Sequence, residues 1–229
     1  MPSNIAQRKQ SLLAAEKKAK QLFSEIEERG WITAGISEVD LSDKIFDLAF
    51  QMFGTKQHWH KRIVRSGNNT LLPYSKNPPN RIITDDDILF FDFGPVFENW
   101  EADLGRTYVI GNNREKLRLK SDVETCWNLG KEYFDNDPSM TGATLYEYVC
   151  DLAKSRSWEF GNEHCGHLIG KFPHERIQGE KTLNYIHPEN HTPMNAPDQY
   201  GEARDWILEI HFIDPRQKIG GFFEQVLTC

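Results

Sequence analysis

Two apolar rhythms, one helical and one strand-like, divide the chain. Residues 5–29 carry strong helix formers, with Leu12, Leu13, Ala19, Leu22, Phe23 and Ile26 at near-helical spacing, and Gly30 supplies a stop. Ser37-Glu-Val-Asp40 offers an N-cap and an acidic first turn to a second amphipathic helix, which carries Leu41, Ile45, Phe46, Ala49 and Phe53 and ends at Gly54. Residues 59–66 alternate weakly and predict a strand. Residues 67–85, dominated by Asn, Pro, Gly and Ser, predict a long irregular segment of the kind that is often functional. Strands are predicted at 87–93 and about 104–111, helices at 113–134 and 142–156, and strands near 164–170, 206–213 and 222–228. Residues 171–205 are punctuated by Pro and Gly and read as extended surface structure. Helix pairs between antiparallel-looking strands predict an α+β fold over residues 1–229 as one domain, with helices on the outer face of a curved antiparallel sheet.

Composition changes this picture little. The chain of 229 residues is 27% charged and 38% hydrophobic, as expected of an ordinary globule with a sizeable core. A net charge of -7 with no basic patch argues against nucleic acid as a partner. No apolar stretch is long enough to span a membrane, no leader-like segment stands at the start, and a cytoplasmic protein is expected. Cys126, Cys150, Cys165 and Cys229 form no C-x-x-C pair and are expected to be reduced and structural.

The apolar strands carry misplaced charges. Asp92 follows Ile88-Leu-Phe-Phe, and Asp103 precedes Leu-Gly-Arg-Thr-Tyr108. His167 lies in Gly166-His-Leu-Ile-Gly170, Glu209 in Trp206-Ile-Leu-Glu-Ile210, and Glu224 in Gly220-Gly-Phe-Phe-Glu224. Burying a lone carboxylate in such a run is costly unless it is paired or metal-bound. Residues 92 and 103 can pair directly across an antiparallel hairpin, and two aspartates so close need a proton or a cation between them. Taken singly, Asp92 reads equally as a turn cap before Gly94-Pro95, Asp103 as a partner of Arg106, and His167 as a core histidine. Together, four carboxylates and one imidazole suit two divalent cations, which would cancel their charge. Such a donor set favours manganese, iron(II), cobalt or zinc, with manganese preferred.

The order of these residues, with Asp103-Leu-Gly-Arg-Thr and Gly166-His-Leu-Ile-Gly-Lys-Phe-Pro-His174-Glu175, resembles the metallopeptidase family of creatinase, aminopeptidase P, prolidase and methionine aminopeptidase. The resemblance runs from about residue 10 to the C-terminus. It implies the pseudo-symmetric "pita-bread" fold with two metal ions between its halves. It implies that Asp92 chelates one ion, Asp103 and Glu224 bridge both, and His167 and Glu209 complete one of them. Glu209 would also shuttle the proton of the attacking water, and His174 would donate to the substrate carbonyl or oxyanion. The activity implied is two-metal hydrolysis of a short peptide or amide, of the aminopeptidase or Xaa-Pro type. A metal-dependent enzyme acting on a small non-peptide molecule and a peptide-binding module are the alternatives. Many Xaa-Pro peptidases carry a further N-terminal domain; the 229 residues leave no room for one, and a layout closer to that of methionine aminopeptidase is expected. The resemblance leaves open whether the chain forms a homodimer.

Three positions depart from the family pattern. Tyr74, in Leu72-Pro-Tyr74, stands where the family has histidine. Ile210-His211 replaces the Pro-Gly that follows the first glutamate, and Phe222 stands where Xaa-Pro peptidases place arginine. Tyr74 is expected among the substrate contacts, and His211, which shares a face with Glu209 if both lie on one strand, is expected to touch the substrate or to support a residue that does. His60 joins them, because His58 and His60 share a face if Trp59 is extended. His187 and His191 are expected on the surface, and Trp100-Glu101 at a hairpin tip.

Overall fold

The computed structural model of the protein describes residues 2–198, 201–202 and 204–229. Four helices, α1 (Pro2–Glu28), α2 (Glu38–Phe53), α3 (Arg114–Asn136) and α4 (Gly142–Ser155), pack on antiparallel strands. The strands are β1 (Ile63–Ser66), β2 (Ile88–Phe93), β3 (Val96–Phe97), β4 (Trp100–Glu101), β5 (Leu104–Val109), β6 (Glu159–Phe160), β7 (Leu168–Ile169), β8 (Asp205–Asp214) and β9 (Ile219–Val226). The main sheet runs β1-β2-β5-β9-β8-β6, with β7 on the end of β8, while β3 and β4 form a separate small hairpin.

Each helix starts and stops for a local reason. Ser37 accepts the Asp40 N–H at the start of α2, and Gly54 closes that helix with φ 70°. Asn113 and Thr141 cap α3 and α4 in the same way. The buried Glu38 carboxylate then accepts from Ser66 N–H, the Ser66 hydroxyl and the Asn69 side-chain amide, tying the first turn of α2 to the end of β1.

Strand alternation sorts the faces. Leu89, Phe91 and Phe93 of β2 pack against α1 and α2, and Phe23 meets Phe91 and Phe93 edge-on at 5.8 and 6.2 Å. Leu208, Ile210 and Phe212 of β8 and Phe223 of β9 pack against α3 and α4, where the Trp127 indole N–H donates to the Leu208 carbonyl at 2.9 Å. The intervening positions, Asp92, Glu209, His211, Phe222 and Glu224, are thereby turned to the other face, as a period of two requires.

Three expected strands have different bounds. The 59–66 segment is strand only from Ile63, because Trp59 N–H donates to the Gly94 carbonyl and residues 58–60 turn instead of extending. The 164–170 segment is strand only at Leu168–Ile169. Gly166 there has φ 150°, and a Cβ on it would lie 2.1 Å from the Ile207 carbonyl, so only glycine fits where the segment closes on β8, which donates Glu209 N–H to the Cys165 carbonyl and Ile207 N–H to that of His167. The last strand starts earlier than expected, at Ile219, opposite Asp214 of β8.

Candidate metal centre

One transverse row of the sheet assembles the acids. Ile63 pairs with Asp92, Asp92 with Gly105, Gly105 with Glu224, and Glu224 with Glu209. Three of the four carboxylates therefore lie in register across neighbouring strands, on the face away from the helices. Asp92 does not pair directly with Asp103, contrary to the hairpin expectation. The register sets it opposite Gly105, and Asp103 lies two residues back toward the loop, a diagonal neighbour on the same face. The β3–β4 hairpin takes up the intervening loop. Gly105 keeps the row open, because a Cβ there would sit 2.4 Å from the Phe222 ring and 3.0 Å from Glu224 Cβ.

Arg106 does not pair with Asp103. It donates to the Gly105 and Glu224 carbonyls and to the Gln225 side chain, with its guanidinium 3.9 Å from the Phe223 ring centroid. Thr107 exchanges hydrogen bonds with the backbone of Phe222 at 2.6 and 2.8 Å. The Arg-Thr pair thus clips β5 to β9 at the level of Glu224.

His167 arrives from the opposite side, held by Ile207 N–H donating to its carbonyl. Its Nδ1–H donates to the Leu168 carbonyl at 2.9 Å, and Nε2 lies 3.2 Å from Asp103 Oδ2 and 3.6 Å from Glu224 Oε1. His60 enters from the segment before β1, with Nε2 3.0 Å from Asp103 Oδ1 and 3.5 Å from Asp92 Oδ1. Among the described residues, His60-Asp92-Asp103 and Asp103-His167-Glu224 each bring three potential ligand atoms within 4.8 Å of one another.

Without a cation these charges distort one another. Burial, reinforced by Asp103 and Glu209, pushes Asp92 up to about 7. Burial, with Asp103 and Asp92 adding to it, holds Glu224 well above the usual carboxylate range. Asp103 resists burial: the charge of His60 and hydrogen bonds from His167 and His60 keep it at about 2. Burial opposes the charging of both imidazoles, yet Asp103 and Asp92 raise His60 to about 9, and Asp103 and Glu224 raise His167 well above its ordinary value.

The donor set fits divalent cations on a direct test. Glu209 Oε1 and Glu224 Oε2 are buried with no hydrogen-bond partner. His164 Nδ1 comes within 2.7 Å of Glu209 Oε1, but the two are not aligned as a hydrogen bond. Buried carboxylate oxygens with nothing to accept from are costly unless a proton or a cation reaches them.

The residues surround a cavity of about 260 Å³, lined also by Trp59, Tyr74, His174, Arg176, Lys181 and Tyr185. Larger clefts of about 880 and 630 Å³ open elsewhere on the surface, but none of the four carboxylates lines either. His174 stands at the cavity with Nδ1–H donating to Glu101 at 2.8 Å, which leaves Nε2 as its available ring atom. Tyr74 lines the same space, its hydroxyl accepting the Lys61 N–H at 3.3 Å. His211 does not reach this cavity. It shares a strand face with Glu209 but is buried, with Nε2–H donating to the Thr70 carbonyl at 2.8 Å. His58 and His60 do not share a face: His58 turns to Phe46 and Phe93, at 5.6 and 6.3 Å between ring centroids.

Glu101 is the residue that sequence reasoning passed over. It is buried, not exposed at a hairpin tip, and accepts from Gly170 N–H, His174 N–H and His174 Nδ1–H. Its alternation with Trp100 in a two-residue strand is too short to signal burial. Trp59 was also missed, although its ring lies against His60, His167 and His174 at 4.5, 5.2 and 5.5 Å.

Residues 10–201 match the model of Metallopeptidase family M24, and the chain belongs to that family. Membership implies divalent metal ions, in agreement with the donor set. The chain is 30% identical over 164 residues to an Xaa-Pro dipeptidase of Pyrococcus furiosus and 26% identical over 164 residues to one of Pyrococcus horikoshii. Each match covers 71% of this chain but 45% of the relative, so the chain spans about half the length of these relatives. In fold it is similar to an X-Pro aminopeptidase from Thermotoga maritima (TM-score 0.77, 20% identity, 98% of this chain and 61% of that one). It is also similar to a methionine aminopeptidase from Rickettsia prowazekii (TM-score 0.70, 14% identity, 94% and 90%). The α+β pita-bread expectation is borne out. Among the described residues no helix is long and apolar enough to cross a membrane.

Proposed function

We propose that the protein is a hydrolase that cleaves a short peptide or related amide, of the aminopeptidase or Xaa-Pro type, using two divalent ions held by Asp92, Asp103, His167, Glu209 and Glu224. The observation that carries this reading is the row of in-register carboxylates whose oxygens Glu209 Oε1 and Glu224 Oε2 are buried without partners. Manganese is the favoured ion, ahead of iron(II), cobalt and zinc, because oxygen donors outnumber imidazoles. Four free cysteines suit a reducing compartment, in keeping with a cytoplasmic protein.

When bound, the ions supply a water acidic enough to react near neutral pH and draw charge from the scissile carbonyl. Glu209, whose Oε1 lies 2.7 Å from His164 Nδ1, takes the proton of the attacking water and passes it to the leaving nitrogen as the C–N bond breaks. His174, its Nδ1–H held by Glu101, offers Nε2–H to the carbonyl oxygen as it gains negative charge when the ring carries a second proton, since in the neutral ring Nε2 is a lone pair. Trp59, Tyr74 and Tyr185 wall the cavity of about 260 Å³ in which the scissile bond would lie.

A second reading, a metal-dependent enzyme for a small non-peptide amide, draws on Phe222. That side chain is buried with Ile63 and Phe90, so β9 presents no cation where Xaa-Pro peptidases place one. Hydrolysis of Met-Ala-Ser, Ala-Pro and Xaa-Pro-Yaa peptides by manganese-loaded protein separates the two. Turnover of one peptide class, lost in His167→Ala, is expected. Inactivity across the panel by protein carrying its metal would favour the non-peptide substrate.

A further inference from the structure

His60 and His167 occupy equivalent stations around Asp103. Each donates Nδ1–H to the carbonyl of the residue that follows it, Lys61 at 2.7 Å and Leu168 at 2.9 Å. A carbonyl only accepts, so the Nδ1 proton is fixed in both rings, and in the neutral ring Nε2 carries a lone pair. Each Nε2 faces a different oxygen of the same carboxylate, Oδ1 for His60 and Oδ2 for His167. Each has a second carboxylate just beyond, Asp92 for His60 and Glu224 for His167. A backbone carbonyl behind one ring nitrogen is the usual support of a metal-ligating imidazole, because it fixes ring orientation and raises basicity.

The spacings agree with shared coordination. Donors about 2.1 Å from one ion stand roughly 3.0 to 3.4 Å apart along the edges of an octahedron or tetrahedron. The gaps around His60 are 3.0 and 3.5 Å, and those around His167 are 3.2 and 3.6 Å. The scaffold also commits His60 to this place. A Cβ on Gly94 would lie 2.2 Å from the His60 ring and 2.4 Å from Trp59 Nε1, so glycine is what admits both rings. The Trp59 indole N–H donates to the Ala102 carbonyl, one residue before Asp103, and its ring packs on His60 edge-on at 4.5 Å.

We propose that His60 Nε2 is a sixth protein ligand: it would hold one ion with Asp92 and Asp103 Oδ1, while His167 holds the other with Asp103 Oδ2 and Glu224. This goes beyond the five-residue set and gives each ion its own imidazole. It also moves His60 from the substrate contacts to the metal centre and leaves Tyr74 and His174 to meet the substrate. The inference rests on the metal reading of the site, and the experiment keeps the two apart.

Chelator-stripped wild type, His60→Ala and His167→Ala are titrated with manganese, with bound ions counted by mass spectrometry and free Mn(II) read by electron paramagnetic resonance. Two ions are expected in wild type, and each substitution is expected to weaken one of them. Losing an outer partner of a ligand costs about 10–100-fold in affinity, so losing a ligand should cost at least about 100-fold. Added imidazole should restore part of the affinity of His60→Ala. Two ions bound with unchanged affinity by His60→Ala, while His167→Ala is impaired, would overturn the His60 proposal and leave the metal centre standing. No binding by wild type would remove the metal reading itself. Wild type loaded with cobalt(II) gives a test that needs no variant to fold. The proton NMR spectrum should show two exchangeable, strongly shifted imidazole N–H signals, and a single one counts against His60.

Discussion

At the scale of single residues, the site depends as much on what orients its histidines as on the acids. Glu101 holds His174 by accepting from its ring and from two backbone N–H groups. Glu101→Gln keeps the volume but removes the charge, and its amide can no longer accept from all three. Turnover of the best peptide is expected to fall about 10–100-fold in kcat, with metal content unchanged, because outer partners of a working imidazole carry effects of that size. Steady-state kinetics beside metal analysis checks this, and an unaltered kcat would show that Glu101 serves stability alone. Glu101 was illegible in the chain because its meaning comes from residues 170–174 folding back onto β4, a long-range contact that no local pattern encodes. Asp92, Glu209 and Glu224 were legible for the opposite reason. Each is a charge at an apolar strand position, an anomaly visible within five residues. His211 looked equally suggestive beside Glu209, yet the Thr70 carbonyl accounts for it.

At the scale of elements, helices α1 to α4 were legible in the chain, α1 and α2 from their apolar spacing and the stops at Gly30 and Gly54, and α2 also from its Ser37 cap, since such signals are local and strong. The shortest strands could not. β3, β4 and β6 have two residues each, too few for alternation to register, and of the strand expected near 164–170 only Leu168–Ile169 forms. Strand register was the deeper gap. The Asp92–Asp103 pairing suggested by their separation gave way to Asp92 opposite Gly105, and that glycine, between β2 and β9, keeps the row open from Asp92 to Glu224. Gly105→Ala should therefore disturb the row. Its methyl would overlap the Phe222 ring, a buried overpacking that costs about 1–3 kcal/mol. Urea unfolding of the chelator-treated variant should show that loss, and metal affinity should fall with it. A stability equal to wild type would mean that Phe222 yields freely and that the glycine is not needed for packing.

At the scale of the whole molecule, the two halves of the core are joined through a sheet whose shared face is acidic, and the cations are what make that face tolerable. Metal-free stability should then fall with rising pH. Asp92, raised by burial from 3.8 to about 7, binds a proton on folding, so its contribution is complete below pH 3.8 and is lost as pH climbs through 7. His60, raised from 6.5 to about 9 by Asp103 and Asp92 against the effect of burial, contributes fully below pH 6.5, and that contribution disappears as pH passes 9. Asp103, held at about 2, acts in the reverse sense only below its ordinary value of 3.8. In chelator, Tm should drop between pH 6.5 and pH 9, above the range in which His58, lowered by burial from 6.5 to about 4, acts in the opposite sense. With excess manganese the fall should be flattened or reversed, because ligand deprotonation strengthens metal binding and bound metal stabilises the folded state. Parallel thermal melts with and without manganese test this, and identical pH profiles would speak against cations in the acidic cavity.

The most direct test of the central claim is anomalous diffraction from crystals grown with manganese, recorded on both sides of the metal's absorption edge. Two anomalous peaks are expected about 3.5–4 Å apart, flanking the Asp103 carboxylate and within bonding distance of Glu209 and Glu224. A cavity with no anomalous density at saturating manganese would contradict the claim.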